Sequence, residues 1–565
     1  MTVSSTPPGT IDLLRQARAW VAEDPDAETR ALLSQLISAV AAGGDDRDLA
    51  DRFAGSLQFG TAGLRGVMGP GPNRMNRSVV IRAAAGLAAY LRGQGAGRGA
   101  SVVIGYDARH QSDVFARDTA EVITGAGLTA LLLPRALPTP VLAFAIRELG
   151  CVAGVMVTAS HNPPQDNGYK VYLGDGSQIV SPSDHDIAAQ IADVGPLDSV
   201  PRGRPYVVLS EEVVDTYLDT VAGLAEDGPR ELRVVYTPMH GVGAGCATQV
   251  LETAGFAAPH VVAEQEKPDP DFPTLSFPNP EEPGAMDLAV AQAVADNADL
   301  VVANDPDADR CAVAIPTGEG WRRLTGDEVG ALLGSELIRR GSRGTYAASI
   351  VSSSLLGRIA AAAALPYEET LTGFKWIGRV PGLAFGYEEA LGYCVDPEHV
   401  RDKDGVSALL LICELAARLK AEGRGLQDAL DELSLQHGMH ATDQLSVRVV
   451  EVSQITEAMD RLRAAPPTAL GGYAVLRIDD LATGGSGLPP TEGLRYVLSD
   501  QARVIVRPSG TEPKLKCYLE VVVPIAASAH RTDVDAALQL AHARRTAAAR
   551  LADLKHDLRA ALQLP

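Results

Sequence analysis

Cysteine is scarce in this chain: 6 residues in 565, at positions 151, 246, 311, 394, 413 and 517. They stand singly, with no CxxC pair. That leaves neither a zinc site nor a disulfide framework and points to a reducing, cytoplasmic setting. Long apolar runs are also missing. No stretch reaches the ~18 residues that a membrane-spanning helix needs. The N-terminal MTVSSTPPGTIDLLRQARAW has no basic start followed by an apolar core, so no signal peptide is expected. Positive charge is short as well: 50 Lys and Arg stand against 71 Asp and Glu, a net charge of −21. Nucleic acid or an anionic membrane as main partner calls for the opposite balance. A small phosphorylated substrate is not excluded, because a local basic pocket can sit in an acidic chain.

What the chain does have is core material. The hydrophobic fraction is 46% and the charged fraction 21%, as in a globular protein. At roughly 150 residues per domain the length predicts three or four domains. Apolar positions at helical spacing predict helices over Ile11 to Val21 and Ala27 to Ala42. After the Gly-rich loop Phe59-Gly-Thr-Ala-Gly-Leu-Arg-Gly66, helical stretches (Arg77 to Leu91, Asp113 to Gly125, Pro140 to Leu149) alternate with apolar runs of strand length (Val102 to Tyr106, Leu128 to Leu133, Val152 to Val157). The pattern restarts with helices at Glu211 to Leu224, Ala247 to Ala254 and Asp287 to Ala295, and strands at Leu232 to Tyr236, His260 to Ala263 and Leu300 to Ala303. A third round has helices at Asp327 to Arg339, Ser354 to Ala363 and Gly405 to Lys420 and a strand at Thr345 to Ile350. Such alternation predicts three α/β units with mainly parallel sheets. The remainder is strand-rich (Ser446 to Val450, Gly472 to Ile478, Gly493 to Leu498, Ala502 to Val506, Leu515 to Val523) and ends in an Ala/Leu-rich helix from Ala536 to Leu564, a smaller α+β domain. The expected domains are residues 1–210, 211–322, 323–440 and 441–565.

Four clusters could carry chemistry. Thr158-Ala-Ser-His-Asn-Pro-Pro164, with Asn167-Gly-Tyr-Lys170 behind it, follows a strand-like run, and ligands bind at that edge of open α/β sheets. The same residue types also build ordinary turns, and no GxSxG elbow surrounds Ser160. Asn304-Asp-Pro-Asp-Ala-Asp-Arg310 follows another such run. Its three carboxylates at alternate positions repel one another unless a cation offsets them, and they can converge on one hard metal ion. The sixth position is Arg310 rather than Gly, so this is no EF-hand. Arg507-Pro-Ser-Gly-Thr-Glu-Pro-Lys514 combines charge, hydroxyls and a glycine, which suits a phosphate but also a β-turn. Leu371-Thr-Gly-Phe-Lys-Trp-Ile-Gly378 and Gly386-Tyr-Glu-Glu-Ala-Leu-Gly392 offer Lys375 and Glu388 to sugar hydroxyls, or are plain solvated loops. With one cluster per expected domain, a shared central cleft for phosphoryl transfer through a phosphoserine accounts for all four.

These motifs, in this order over about residues 50 to 525, resemble the α-D-phosphohexomutase superfamily of phosphoglucomutases and phosphomannomutases. The resemblance implies three related α/β domains with mixed, mainly parallel sheets and a TATA-binding-protein-like C-terminal domain, heart-shaped around a central cleft. It implies interconversion of sugar 1- and 6-phosphates, of glucose or mannose, by way of a bisphosphorylated sugar that also serves as activator. Ser160 matches the phosphoserine and His161 follows it in the family pattern. Asp305, Asp307 and Asp309, with the Ser160 phosphate, match the ligands of one Mg²⁺. Arg65, Lys170 and Arg310 match groups beside the moving phosphate, Lys170 as an acid/base. Arg507, Ser509, Gly510 and Thr511 match the clamp for the other phosphate. Lys375, Glu388 and Ala390 fall in the sugar loop, and Lys403 matches a further basic contact. The partners implied are small sugar phosphates, with a monomer or dimer expected. One departure stands out: where the family often has Glu-x-Ser, this chain has Glu388-Glu-Ala390. That wording is similar to the branch with phosphopentomutases, glucose-1,6-bisphosphate synthases and some bacterial phosphoglucomutases, so ribose or deoxyribose phosphates are the alternative substrates. A phosphatase is disfavoured because Asp309 stands where a DxDxT loop has Thr.

Overall fold

Apolar strands packed against helices are what a computed structural model of the chain shows. It describes residues 9–60, 63–449, 451, 453–484, 487–509, 514–526 and 533–564. The chain divides into two units, Met1–Arg323 with Gly392–Ala417, and Leu324–Leu391 with Arg418–Pro565.

In the first unit, β1 (Leu64–Val67), β2 (Ser101–Tyr106), β3 (Thr129–Leu132), β4 (Ala153–Val157), β5 (Asp166–Leu173) and β6 (Val207–Val208) form a sheet in the order β1-β5-β4-β2-β3-β6. β4, β2, β3 and β6 run parallel, whereas β5 and β1 are antiparallel additions. The parallel strands read as continuous apolar runs because both faces are buried. Val102, Ile104, Val155 and Val157 pack with Leu87 and Phe115 of the flanking helices Arg77–Gly93 and Ser112–Gly125. Asn76 starts the first of these helices, its side chain accepting from the Val79 N–H at 3.0 Å. A second sheet holds β7 (Val234–Thr237), β8 (His260–Val261), β9 (Leu300–Ala303), β10 (Ala312–Thr317) and β11 (Gly320–Arg323), in the order β11-β10-β9-β7-β8. Again the central strands are parallel and the last two antiparallel. The helices Thr10–Glu23, Ala27–Ala41 and Arg47–Arg52 precede both sheets, the first two burying Leu13, Ala17, Leu33 and Ile37 against each other.

In the second unit, β12 (Thr345–Ser349), β13 (Tyr367–Thr370) and β14 (Leu383–Glu388) pair in parallel. The short β15 (Gly392–Cys394) belongs to the first unit. β16 (Met439–Arg448), β17 (Ala469–Leu470), β18 (Tyr473–Asp480), β19 (Leu494–Leu498), β20 (Arg503–Pro508) and β21 (Lys514–Val523) form an antiparallel sheet in the order β16-β21-β20-β19-β18-β17. The helices Ser453–Ala464 and Asp533–Leu562 cover it through Met459, Leu462, Leu551 and Leu554. Among the described residues no helix is long and apolar enough to cross a membrane.

The expected elements are present, with differences at sites of reversal. Residues 166–173 form a strand although Asp166-Asn-Gly168 reads as a turn. The hairpin of β10 and β11 and the helices Ser183–Ala192 and Ser453–Ala464 lie outside the periodicity reading, being short or irregular in pattern. β16 starts at Met439, seven residues before the expected Ser446.

The second unit is tied by a buried charge. Glu520 of β21 is 2% exposed and stands opposite Arg503 of β20. The Arg503 Nε donates to it at 2.5 Å, and the Ser353 hydroxyl and Ser354 N–H donate at 2.7 and 2.8 Å. Burial pushes this carboxyl up, but Arg503 and His440 hold it below the usual carboxylate range. Glu520→Ala removes the buried partner of the Arg503 Nε and leaves Arg503 only Glu369 as a carboxylate, and breaking a buried pair from one side costs ~3–5 kcal/mol. Denaturant unfolding should show a loss of that size; a loss in the ~0–1 kcal/mol range of exposed pairs would contradict this account.

Candidate active site

β4 ends at Val157 and delivers Ser160 on the turn that leads back into β5. Ser160 has φ 52°, in the left-handed region that non-glycine residues seldom occupy and that marks strained functional turns. Its N–H donates to the Thr158 hydroxyl at 2.8 Å. Its own hydroxyl donates to Asp305 Oδ2 at 2.8 Å and lies 3.2 Å from His161 Nδ1. Burial, with Arg310 and Arg65 nearby, pushes the His161 imidazole well below its ordinary value, so the ring is neutral at pH 7.

The partner loop follows β9. Because β10 returns antiparallel to β9, residues 304–311 must reverse tightly, and Ala308 takes φ 53° to do so. The reversal gathers Asp305, Asp307 and Asp309, all buried, with ligand oxygens within 4.8 Å of one another. Asn304 braces the turn, donating to the Arg310 carbonyl and accepting from the Tyr236 hydroxyl. Lys170 on β5 donates to Asp307 Oδ2 at 2.7 Å and to Asp309 Oδ2 at 2.9 Å. Lys403 reaches Asp309 Oδ2 at 3.0 Å. It arrives there because Gly405, at the start of helix Gly405–Ala421, packs on the Asp loop; a Cβ would lie 2.3 Å from the Arg310 carbonyl oxygen. Thr139 donates to Asp307 Oδ2 at 2.6 Å.

Burial and the two neighbouring carboxylates push Asp305 well up. Burial pushes Asp307 and Asp309 up too, but Lys170, and for Asp309 also Lys403, overrides it and holds both below the usual range. In turn, burial lowers the Lys170 ammonium and the two aspartates more than restore it. Asp307 Oδ1 and Asp309 Oδ1 are buried with no hydrogen-bond partner. Unpaired buried carboxylate oxygens are costly, and three of these carboxylates together can hold a divalent cation.

Of the other expected residues, Arg65 on β1 donates to Asn162 Oδ1 at 3.1 Å, beside the serine turn. The Arg310 side chain lies 3.8 Å from Asp305, 3.9 Å from Asp309 and 3.4 Å from Glu281. These residues, with Ser160, His161, Lys170 and Lys403, share the first unit. The remaining ones lie in the second. Glu388 ends β14 and accepts from the Gly373 N–H at 2.6 Å, which joins the two loops of the sugar-loop cluster. Lys375 sits in the short helix Phe374–Ile377 over the Trp376 ring, and Ala390 follows Glu388 in the turn. Glu389 accepts from the hydroxyls of Ser349 and Ser352 at 3.0 and 3.1 Å. Arg507 is on β20, and the Ser509 N–H donates to the Lys514 carbonyl at 2.9 Å. Gly510 and Thr511 lie outside the described residues. Two site-bracing residues escape sequence reasoning. Thr139 gives no local signal. Arg109, which binds the serine turn, follows strand β2 in Asp107-Ala-Arg109, and its position at a strand end is the signal that could have found it.

The loop after β7 supports the Asp turn by close approach. The Val242 N–H donates to the Pro306 carbonyl at 2.9 Å, and a Cβ on Gly241 would lie 2.3 Å from Pro306 Cα. Gly241→Ala must therefore displace the turn that carries Asp305 and Asp307. It should weaken Mn²⁺ binding, read by calorimetric titration, roughly tenfold or more. Gly245→Ala, where a Cβ meets nothing within 4 Å, should not. Equal affinity in both variants would show that the turn does not depend on this contact.

The family described as phosphoglucomutase/phosphomannomutase matches the chain in four parts: α/β/α domain I at residues 56–196, domain II at 215–318, domain III at 325–435 and the C-terminal domain at 445–537. A "probable phosphomannomutase" of Haemophilus influenzae is 52% identical over 455 residues, 79% of this chain and 93% of that one. A phosphoglucomutase of Staphylococcus haemolyticus is 36% identical over 505 residues, 83% of this chain and 91% of that one. A human phosphopentomutase is 34% identical over 564 residues, 90% of this chain and 91% of that one. The crystal structure of a candidate phosphomannomutase from Thermus thermophilus superposes with a TM-score of 0.67 at 27% identity, covering 88% of this chain and 99% of that one. With four domain matches in order and relatives of this similarity along most of its length, the chain belongs to the phosphoglucomutase/phosphomannomutase family and is a phosphosugar mutase with that family's four-domain α/β fold.

Proposed function

We propose that the chain interconverts the 1- and 6-phosphates of glucose, mannose or both, through a phosphoserine at Ser160 and a bisphosphorylated sugar that also primes the enzyme. The observation that carries this reading is the 2.8 Å approach of the Ser160 hydroxyl to Asp305, beside the partnerless oxygens of Asp307 and Asp309. A cluster of hard oxygen donors suits Mg²⁺. Asp305, Asp307 and Asp309 would hold one ion, with a phosphate on Ser160 as a further ligand. When bound, the ion offsets charge on the transferring phosphoryl group.

The chain's own residues supply the rest. Ser160 Oγ is the leaving oxygen when the phosphoryl group passes to a sugar hydroxyl and the attacking oxygen when one returns. The proton on Oγ has two acceptors in reach, Asp305 Oδ2 and the neutral His161 Nδ1. Lys170 is held as a cation by its aspartates, which suits it to stabilise charge; its acid/base role is assigned from the family resemblance. Arg65 and Arg310 add positive charge beside the serine turn. Arg507, Ser509, Gly510 and Thr511 are assigned to the phosphate that does not react. Lys375, Glu388, the Ala390 turn and Lys403 are assigned to the sugar.

Ser160→Ala should lower interconversion of glucose 1- and 6-phosphate, assayed with a trace of glucose 1,6-bisphosphate, on the order of 10⁴-fold or more. Undiminished activity would contradict the phosphoserine. A pentose reading is favoured by one feature, the alanine at 390 where a hydroxyl would otherwise meet the sugar, and by the phosphopentomutase among the relatives. Measured kcat/KM should be higher for glucose or mannose 1-phosphate than for ribose 1-phosphate; the reverse order assigns the chain to pentoses.

A further inference from the structure

A serine at φ 52° needs an external hold, because its N–H bond to Thr158 fixes only one side of the turn. That hold comes from Arg109, which is 4% exposed. Its Nη2 donates to the carbonyls of Ser160 and Asn162, at 2.6 and 2.5 Å. Its Nη1 donates to the carbonyls of Pro163 and Asp166, at 2.8 and 3.2 Å. One planar fork thus gathers four main-chain oxygens of the turn 160–166. All four Nη hydrogens are committed to main chain, and the remaining Nε hydrogen is buried facing Asp107 without a hydrogen bond.

The arginine is itself fixed. Its N–H donates to Asp107 Oδ1 at 3.0 Å, and its Nε lies 3.5 Å from Asp107 Oδ2. The guanidinium carbon sits 4.9 Å from the centroid of Phe272. Phe272 is 2% exposed and comes from the segment that follows β8 of the second sheet. The serine turn of the first sheet is thereby fastened to the sheet that carries the aspartates.

We infer that Arg109 is a positioning residue for phosphoryl transfer: it holds Ser160 in its left-handed conformation facing Asp305, and Phe272 locks it in place. The inference rests on the reading of Ser160 as the phosphoryl carrier. A lysine cannot replace the fork, since a point charge cannot gather carbonyls in a plane. Neither side chain touches the aspartates, so metal affinity should be indifferent to both.

The test follows the rate at which glucose 1,6-bisphosphate phosphorylates the full-length protein, with the label located on Ser160 by peptide mass, alongside Mn²⁺ affinity and thermal unfolding. The wild type should label on Ser160. Arg109→Lys should label roughly 10–100-fold more slowly, as expected for a misplaced reacting group, with Mn²⁺ affinity unchanged. Phe272→Leu keeps the fork and removes its ring; it should slow labelling in the same direction and less. A wild type that does not label Ser160 overturns the phosphoserine reading itself. A wild type that labels while Arg109→Lys keeps pace with it overturns the positioning role alone. If Arg109→Lys does not fold, Phe272→Leu decides: labelling at the wild-type rate overturns the role.

Discussion

Three buried carboxylates within five residues are the constraint around which the first unit is built. Alone they would repel one another and resist burial. They are tolerated because other elements bring countercharge to them. Lys170 comes from a strand added antiparallel to β4, Lys403 from the segment before helix Gly405–Ala421, and Arg310 from the loop itself. Glycine at 405 and at 241 lets two further backbones approach the loop closely enough to hold it. Even so, two oxygens remain without a hydrogen-bond partner, and that residual demand is what makes the cluster a candidate cation site.

The nucleophile turn is matched to this cluster. Both loops lie beyond the carboxyl ends of parallel strands, β4 in one sheet and β9 in the other, where open α/β sheets place ligands. Lys170 and Thr139 bridge the two sheets through Asp307. The Ser160 hydroxyl and the Asp305 carboxyl meet at 2.8 Å with both turns held by residues distant in sequence, Arg109 on one and Lys170 and Thr139 on the other. Lys170, Lys403 and Arg310 face the three carboxylates there, while Arg310 also meets Glu281 and Lys403 also meets Asp402. A divalent ion added to such a centre would offset part of the charge of a phosphomonoester, which carries about −1.5 to −2 at neutral pH.

Much of this was legible in the sequence, for a physical reason. Ser160 and the three aspartates sit in unbroken loops after apolar runs, so a rule about strand ends is enough to find them. Lys403 became a candidate only through resemblance to a family, whereas the segment Arg507 to Lys514 already suits a phosphate by its charge, hydroxyls and glycine. Thr139 was not legible, because its partner lies 168 residues away and no local pattern encodes it; Arg109, whose turn partner lies 51 residues away, offered only its place at a strand end. β5 escaped periodicity because it opens on Asp166-Asn-Gly168, turn residues that the antiparallel return to β4 overrides. The sheet order, and with it the placing of Lys170 over the aspartates, is a tertiary property that spacing does not carry.

The central claim is that Ser160 and the aspartates form one phosphoryl-transfer centre. Phosphorus NMR of the protein after treatment with glucose 1,6-bisphosphate tests it most directly. The account predicts a phosphomonoester resonance, absent in Ser160→Ala, that substoichiometric Mn²⁺ broadens in the wild type and not in Asp307→Asn. A resonance on another residue, or one on Ser160 that Mn²⁺ leaves sharp, would contradict it.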